Sequence, residues 1–221
     1  MHTQAVEDYI KATYEIQAKQ GKVATNALAE RLGVSPASVT GMIKKLAEMN
    51  LVTHEPYQGV RITESGRKIA LEVIRHHRLV ELYLNQAMGV PWDRVHEEAE
   101  KWEHVLSEDI EDRIDEILGH PTHDPHGSPI PTRDGELPET PGVRLVDLDV
   151  GTSVVIARVS GADAELLRYL GERGLFPGVE LEIVAIEPMK GPITVQLGDR
   201  TLVLGREVAK SIAVAQITEA A

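Results

Sequence analysis

The sequence contains no cysteine, and this absence excludes several classes of protein at once. Disulfide scaffolds, cysteine-ligated zinc sites, iron–sulfur clusters and thiol nucleophiles all require that residue. No apolar run approaches the roughly 18 residues that a membrane-spanning helix needs. The N-terminal stretch is polar and acidic, without the basic start and apolar core of a secretion signal. These absences predict a soluble, cytoplasmic protein that does not associate with membranes.

Charge and histidine are distributed unevenly along the 221 residues. The net charge is -12, but residues 1–75 carry a net charge of +2 whereas residues 76–140 carry -11. Seven of the nine histidines lie in the same acidic segment. A short stretch rich in carboxylates and imidazoles is either a solvated acidic face or a cation site. The middle segment is therefore the candidate for functional chemistry.

The first 73 residues have the pattern of a winged helix-turn-helix. Apolar spacing predicts helices over residues 5–18 and 24–32, and a third helix that begins after Ser35, a good N-cap with Pro36 at the first helical position. Two short strands follow around a turn at residues 57–59. The second helix of such a motif enters the major groove of DNA. A generic helical domain with a hairpin is the alternative interpretation.

The residues expected to contact DNA belong to the third helix and the wing. We expect phosphate contacts from Lys44, Lys45 and Arg61, because cationic side chains position a protein on the duplex. The start of the recognition helix should lie near the groove, and its residues are Ser35, Pro36, Ala37, Ser38 and Thr40.

Two helices are predicted in the acidic middle segment, one from Thr63 towards Gly89 and one from Pro91 to Gly119. Residues on the second helix at positions i, i+4, i+7 and i+8 share one face, and these are His96, Glu100, Glu103 and His104. His77 and Glu81 form an i, i+4 pair on the first helix. Paired helices that present His and Glu inward are typical of metal sites in helical bundles. For any single pair, a solvated acidic helix with incidental histidines is the alternative.

An apolar stripe also follows the second of these helices and includes Val95, Ala99, Trp102, Leu106, Ile110, Ile114 and Ile117. This stripe predicts packing against the preceding helix and against a second subunit.

The remainder of the chain changes character at a segment rich in proline and glycine, residues 119–143, which is predicted to be a linker. Asp124 and His126 in this linker place a carboxylate and an imidazole one residue apart. Five short β runs and one helix over Ala164–Glu172 follow and predict a small SH3-like barrel. The fold class is therefore α+β, with domains at 1–73, 74–140 and 141–221.

Four motifs resemble the diphtheria toxin repressor family of metal-dependent transcriptional regulators, and within it the manganese-responsive branch. They are AERLGVSPASVT, RHHRLVELYL, VHEEAEKWEHVLS and DPHGSPIP. The resemblance implies a DNA-binding domain, a domain for dimerisation and metal binding, and a C-terminal SH3-like (FeoA-type) domain.

The resemblance also implies a set of primary metal ligands. Asp8 matches an N-terminal ligand that is Met in iron-type members, and Glu100 stands where those members have Cys. Glu103 and His104 match the remaining primary ligands. Lys11 departs from the pattern, because the short two-domain manganese regulators have a Glu ligand there, which argues against their binuclear arrangement.

Further ligands follow from the same resemblance. The ancillary site of iron-type members corresponds to His77, Glu81 and His96. Asp124 and His126 match a Cys-Pro-His ligand pair of some manganese-type members, with Asp in place of Cys. Asp163 aligns with an acidic ligand from the SH3-like domain.

A site built only from nitrogen and oxygen ligands suits hard ions such as Mn²⁺, although other divalent ions can bind in vitro. We therefore expect a Mn²⁺-activated homodimer that binds a palindromic double-stranded DNA operator and represses genes of manganese uptake, without catalytic residues. An iron(II)-responsive regulator of the same family is one alternative. A dinuclear metal enzyme is the alternative from another class, because carboxylate and His pairs on paired helices also describe such enzymes.

Overall fold

The computed structural model describes residues 2–55, 59–138 and 142–217. The chain forms two compact units, and each takes several stretches of sequence. The first unit comprises residues 1–77, 101–111 and 131–137, and the second comprises residues 78–100, 112–130 and 138–221. The acidic middle segment therefore contributes to both units.

The first unit contains the winged helix-turn-helix that the sequence predicts. Its elements are helices α1 (Gln4–Gln20), α2 (Thr25–Leu32) and α3 (Pro36–Glu48) and the antiparallel strands β1 (Val52–Glu55) and β2 (Gly59–Ile62). The Ser35 hydroxyl caps α3 by accepting the Ser38 N–H at 3.2 Å, as its sequence position predicts. Of the predicted wing turn, Tyr57 and Gln58 lie outside the described residues.

The core of the first unit joins all of these elements. Fully buried side chains from the three helices and the hairpin include Ile10, Leu28, Val39, Leu46 and Val60. Each buried aliphatic side chain of this size contributes about 1.5–3 kcal/mol relative to exposure. Helix α3, the predicted recognition helix, is thus held against α1 by a continuous apolar core.

The middle segment forms three helices where the sequence predicted two. Helix α4 (Glu64–Gln86) matches the first prediction, but the expected single helix from Pro91 to Gly119 is wrong, because α5 (Val95–Trp102) and α6 (Glu108–Ile117) are separate. The Ser107 carbonyl accepts the N–H groups of Ile110 and Glu111 and starts a new helix. Its first turn is acidic, which favours a helix N-terminus. Glu103 and His104 consequently lie in a turn and not on a helix face.

The C-terminal part of the second unit is a six-stranded antiparallel sheet with two short helices. Its elements are β3 (Val143–Arg144), a 3-10 turn (Leu145–Asp147), β4 (Ser153–Val159), α7 (Ala164–Glu172), β5 (Glu180–Ile186), β6 (Ile193–Leu197), β7 (Arg200–Leu204), α8 (Arg206–Lys210) and β8 (Ile212–Gln216). The strand order is β3-β8-β4-β5-β6-β7. The five predicted strands and α7 are confirmed, whereas β3 and α8 were not expected.

Much of the predicted linker is an ordered loop in the second unit. The Ile130 N–H donates to the Thr122 carbonyl, and the Asp124 N–H donates to the Ser128 carbonyl. The Val159 N–H of β4 donates to the His126 carbonyl at 2.9 Å. The first two bonds close the loop on itself and the third attaches it to the β-sheet, so residues 122–130 do not act as a loose tether. Residues 139–141 lie outside the described part of the chain.

Within residues 2–55, 59–138 and 142–217, no helix combines the length and the apolar character that crossing a membrane requires.

Candidate metal centres

Three predicted ligands meet in the first unit, and we call Asp8, Glu103 and His104 the first cluster. Each offers a ligand atom, and these atoms lie within 4.8 Å of one another. His104 Nε2 is 2.9 Å from Asp8 Oδ1 and 3.3 Å from Glu103 Oε1. Neither approach has hydrogen-bond geometry, and this buried nitrogen has no hydrogen-bond partner among the described residues. A buried polar nitrogen without a hydrogen-bond partner is costly. A cation bound between this nitrogen and the two carboxylate oxygens would supply the missing partner.

The orientation of His104 is set by a residue that the sequence analysis did not identify. His104 Nδ1 lies 2.7 Å from Glu7 Oε2, and an N–H at Nδ1 donates to that carboxylate. This tautomer leaves the lone pair of Nε2 for an ion, as in the carboxylate–histidine pairs that support metal ligands. Glu7 directly precedes Asp8, and its adjacency is the signal that sequence reasoning could have used.

The ammonium group of Lys11 lies beside the first cluster. Its Nζ donates to both carboxylate oxygens of Glu103, at 2.9 and 2.8 Å, and lies 3.3 Å from His77 Nδ1. His77 Nδ1 also contacts Glu103 Oε2. Lys11 is 7% exposed and Glu103 is 1% exposed, so the pair is buried. Lys11, where the sequence departs from the family pattern, therefore pairs its positive charge with Glu103, a predicted metal ligand.

A second group of predicted ligands meets in the second unit, and we call Glu81, Asp124 and His126 the second cluster. All three are buried, and their ligand atoms lie within 4.8 Å of one another. His126 Nε2 donates to the Trp92 carbonyl at 2.8 Å, which leaves Nδ1 towards Glu81 Oε2, 3.6 Å away. Asp124 Oδ1 accepts the N–H groups of His126 and Ser128, each at 2.8 Å.

Burial and mutual repulsion shape the electrostatics of the second cluster. Burial raises the pKa of Asp124, and the neighbouring carboxylate of Glu81 raises it further. Burial alone would lower the pKa of His126, but the nearby carboxylates of Glu81 and Asp124 outweigh it, so this pKa is raised. Both directions show that the cluster favours added positive charge. The Arg78 guanidinium, 3.9 Å from Asp124 Oδ2, supplies some of it.

Two glycines allow the second cluster to form against the β-sheet. A Cβ at Gly161 would lie 2.7 Å from His126 Nδ1, so this residue keeps the space beside the ligand atom open. Gly127 has a φ of +84°, and a Cβ there would lie 2.1 Å from the Ala157 carbonyl oxygen. Neither glycine can be identified from the sequence, because nothing in the local pattern indicates close backbone approach.

The other predicted ligands have different surroundings. His96 Nδ1 lies 3.1 Å from Glu81 Oε1, and its Nε2 lies 3.8 Å from Glu100 Oε1 on the same helix. Asp163 caps α7 by accepting the N–H groups of Glu165 and Leu166 at 3.0 Å. Neither Asp163 nor Glu100 belongs to the first or the second cluster as the described residues form them. Their roles as ligands, and that of His77, stay predictions.

The predicted DNA contacts lie on an exposed surface. All eight residues are exposed to solvent, and they are Ser35, Pro36, Ala37, Ser38, Thr40, Lys44, Lys45 and Arg61. The Ser35 and Thr40 hydroxyls also serve the helix itself, because Ser35 caps α3 and Thr40 Oγ1 donates to the Pro36 carbonyl at 2.9 Å. The surface is therefore available to a nucleic acid, with Lys44 and Lys45 on one helix.

Family models match the chain over most of its length. The DNA-binding domain of iron-dependent repressors matches residues 1–60, their metal-binding and dimerisation domain matches residues 63–132, and the FeoA domain matches residues 143–216. The first two models describe the DNA-binding, metal-binding and dimerisation domains of repressors and not of enzymes, which removes the alternative of a dinuclear metal enzyme.

Individual relatives agree with these models. The iron-dependent repressor IdeR of Mycobacterium tuberculosis is 32% identical over 96% of each chain. The diphtheria toxin repressor of Corynebacterium efficiens is 33% identical over 80% of this chain and 82% of its own. A solved manganese-dependent transcriptional repressor in complex with manganese is 40% identical, covers 96% of this chain and 100% of its own, and superposes with a TM-score of 0.89. The chain therefore belongs to the diphtheria toxin repressor family of metal-dependent transcriptional repressors.

Proposed function

We propose that this protein is a Mn²⁺-activated, dimeric repressor that binds a palindromic operator and controls genes of manganese uptake in the cytoplasm. The observation that carries the proposal is the first cluster. It combines Asp8, on the first helix of the DNA-binding region, with Glu103 and His104. It also contains Nε2 of His104, which has no hydrogen-bond partner in the part of the chain that the structure describes. A cation bound there links the metal ligands directly to the helix that supports the recognition helix.

The donor chemistry of both clusters favours Mn²⁺. Each cluster presents two carboxylates and one imidazole, and the chain has no cysteine to supply a thiolate. Carboxylates and imidazoles suit hard ions, whereas softer donors would favour other metals. Because Zn²⁺ and Ni²⁺ bind most nitrogen and oxygen sites more tightly than Mn²⁺, selectivity must come from geometry and metal availability. When bound, the ion supplies positive charge to carboxylates that otherwise repel one another.

Helix α1 connects the first cluster to the recognition helix α3. Asp8 lies beside Tyr9 and Ile10, whose side chains are buried in the core of the first unit together with Val39 and Ile43 of α3. Holding Asp8 in the cluster therefore fixes α1, and α1 in turn supports the recognition helix through this core. In a dimer, the two recognition helices must be spaced by about 34 Å to enter successive major grooves.

Exposed apolar residues support dimerisation. Val105 and Ile110, in and after the turn that carries the first cluster, are 79% and 53% exposed in the single chain. Large aliphatic side chains that are exposed in one chain become buried if a second subunit covers them. A two-fold homodimer presents two identical recognition helices, so its operator is expected to be palindromic.

The experiment that tests the proposal is a DNA-shift titration on an oligonucleotide selected by the protein itself. The metal-free protein is titrated anaerobically with Mn²⁺, Fe²⁺, Co²⁺ and Zn²⁺ in parallel. We expect DNA binding to require a metal and to reach half saturation at a free Mn²⁺ level within the cellular range, whereas Fe²⁺ at its cellular level should be ineffective. Activation by Fe²⁺ at lower concentration than Mn²⁺ would contradict the manganese assignment and favour the iron-responsive alternative.

A further inference from the structure

A network of buried charged residues lies next to the first cluster and contains none of the predicted metal ligands. Its members are Arg75 and His76 on α4 and Glu111 on α6. Glu111 is 5% exposed and His76 is 7% exposed. Buried charges are costly unless they are paired, so a network of this kind requires an explanation in structure or function.

Both nitrogens of the His76 ring face acceptors. Nδ1 lies 3.1 Å from the main-chain carbonyl oxygen of Glu103, and Nε2 lies 3.1 Å from Glu111 Oε2. A carbonyl oxygen and a carboxylate oxygen accept hydrogen bonds, so an N–H on either ring nitrogen donates to the acceptor that it faces. Arg75 Nε donates to the other oxygen of Glu111, and Arg75 Nη1 donates to the Pro131 carbonyl at 2.9 Å.

Glu103 is therefore held through both its side chain and its main chain. Its carboxylate belongs to the first cluster, and its carbonyl accepts from His76. The residue lies in the turn between α5 and α6, where a regular helical bond to that carbonyl is interrupted. The hydrogen bond from His76 replaces that bond and ties the turn to α4. Because His104 follows Glu103 directly, the same contact controls the position of two of the three donors in the cluster.

We propose that Glu111 and His76 are positioning residues of the metal centre, and that Glu111, through His76, holds the Glu103–His104 turn in the geometry that binds the ion. This inference rests on the proposed metal site of the first cluster. Replacing a residue that hydrogen-bonds to a metal ligand and orients it changes the metal affinity by about 10- to 100-fold. A network that served stability alone would leave the affinity of the folded protein unchanged.

The test compares Mn²⁺ binding to the metal-free full-length protein by calorimetric titration. The binding step that Glu103→Gln removes is assigned to the first cluster, and that step is followed in the other variants. Glu111→Gln replaces the carboxylate that faces His76 Nε2 with an amide, which weakens the contact holding the ring against the Glu103 carbonyl. It should weaken the step by about 10-fold or more without removing it. Ile16→Val shortens a buried side chain in the core of the same unit and serves as the matched control for lost stability. It should leave the affinity unchanged.

Two substitutions of His76 separate the two contacts. The amide nitrogen of Asn can take the place of Nδ1 and still donate to the Glu103 carbonyl, whereas that of Gln takes the place of Nε2 and reaches Glu111. His76→Gln should therefore weaken the Mn²⁺ step more than His76→Asn. In the double variant Glu111→Gln with His76→Gln, the loss should be no larger than in His76→Gln alone, because the two residues act in series.

The outcomes distinguish this inference from the proposal on which it rests. If Glu103→Gln binds as many Mn²⁺ ions as the wild type, the site and the inference are both overturned. If Glu103→Gln loses an ion while His76→Gln and Glu111→Gln bind Mn²⁺ as Ile16→Val does, the positioning role alone is overturned. Should Glu111→Gln fail to fold, as judged by circular dichroism, the comparison of His76→Gln with His76→Asn decides.

Discussion

The first and second clusters contain the same kinds of donor but are built differently. In the first cluster, Glu103 is paired with Lys11, and the Nε2 of His104 has no hydrogen bond among the described residues. In the second cluster, main-chain groups hold two of the three ligands, because Asp124 accepts two N–H groups and His126 donates to the Trp92 carbonyl. One cluster is thus oriented by charged side chains and the other by the backbone.

This difference separates a responsive site from a rigid one. Charged side chains can rearrange when a cation arrives, and the first cluster includes Asp8 of α1, the helix that packs against the recognition helix. The second cluster lies in the unit of the β-sheet, where the loop that carries it is bonded to β4. We infer that occupancy of the first cluster switches DNA binding and that occupancy of the second mainly stabilises its own unit.

The largest expected effect comes from removing a ligand of the first cluster. Glu103→Gln keeps the size of the side chain but removes a charge from the cluster, so the Mn²⁺ concentration for half-maximal DNA binding should rise by more than about 100-fold, beyond the range seen for supporting residues. A DNA-shift titration measures this midpoint. Glu15→Gln, at an exposed ion pair with Arg31 in the same unit, is the control and should leave the midpoint unchanged. An unchanged midpoint in Glu103→Gln would exclude Glu103 as a ligand.

The sequence predicted much of the fold because its local signals are strong. The Ser35 cap with Pro36 defines the start of α3, and the period of two in the C-terminal strands defines the sheet. Helix α4 was also predicted, but the break between α5 and α6 was not. The spacing of three and four residues continues across the break, so periodicity alone could not reveal that Ser107 starts a new helix.

The candidate ligands are easier to find from the sequence than the residues that support them. Asp8, Glu103 and His104 were identified from residue type and family resemblance, and the structure brings them together. Glu111 and Gly161 are separated from their partners by 35 residues in each case, and their roles depend on tertiary packing. A single sequence does not contain the pairing of such distant positions, so these residues could be found only in the structure.

The buried Lys11–Glu103 pair tests whether a bound ion contacts Glu103 in the first cluster. Lys11→Met leaves Glu103 buried without its ammonium partner, and removing one partner of a buried pair costs about 3–5 kcal/mol. Because a metal cation replaces the missing charge, saturating Mn²⁺ should restore much of this loss. Urea unfolding with a chelator and with Mn²⁺ measures both values. Lys19→Met, at an exposed position of the same helix, is the control. A loss that Mn²⁺ does not reduce would mean that the ion does not reach Glu103.

The second cluster can be altered without changing a ligand. Gly161→Ala places a methyl group 2.7 Å from His126 Nδ1, so the ring must move away from Glu81. We expect the Mn²⁺ affinity of this cluster to fall by about 10-fold, while metal-dependent DNA binding persists. Gly205→Ala is the matched control, because a Cβ at that position meets nothing within 4 Å. Loss of DNA binding in Gly161→Ala at saturating Mn²⁺ would refute the assignment of switching to the first cluster.

The smallest expected effect is the acid dependence of the network behind the first cluster. Burial by itself raises the pKa of Glu111, but the hydrogen bonds and charges of His76 and Arg75 outweigh it, so the pKa lies below its ordinary value of 4.5. A pKa that is lower in the folded state contributes stability above 4.5, and this contribution is lost as the pH falls through the folded-state pKa. The Glu111→Gln variant has no titratable group at position 111. In the metal-free protein, the wild type should therefore melt about 2–4 °C above Glu111→Gln at about pH 6, and this difference should shrink towards about pH 3. Differential scanning fluorimetry of both proteins across this range measures the difference, with Glu15→Gln as the control for a general acid effect. A difference that is constant or grows on acidification would show that Glu111 does not act as a carboxylate paired with His76 and Arg75.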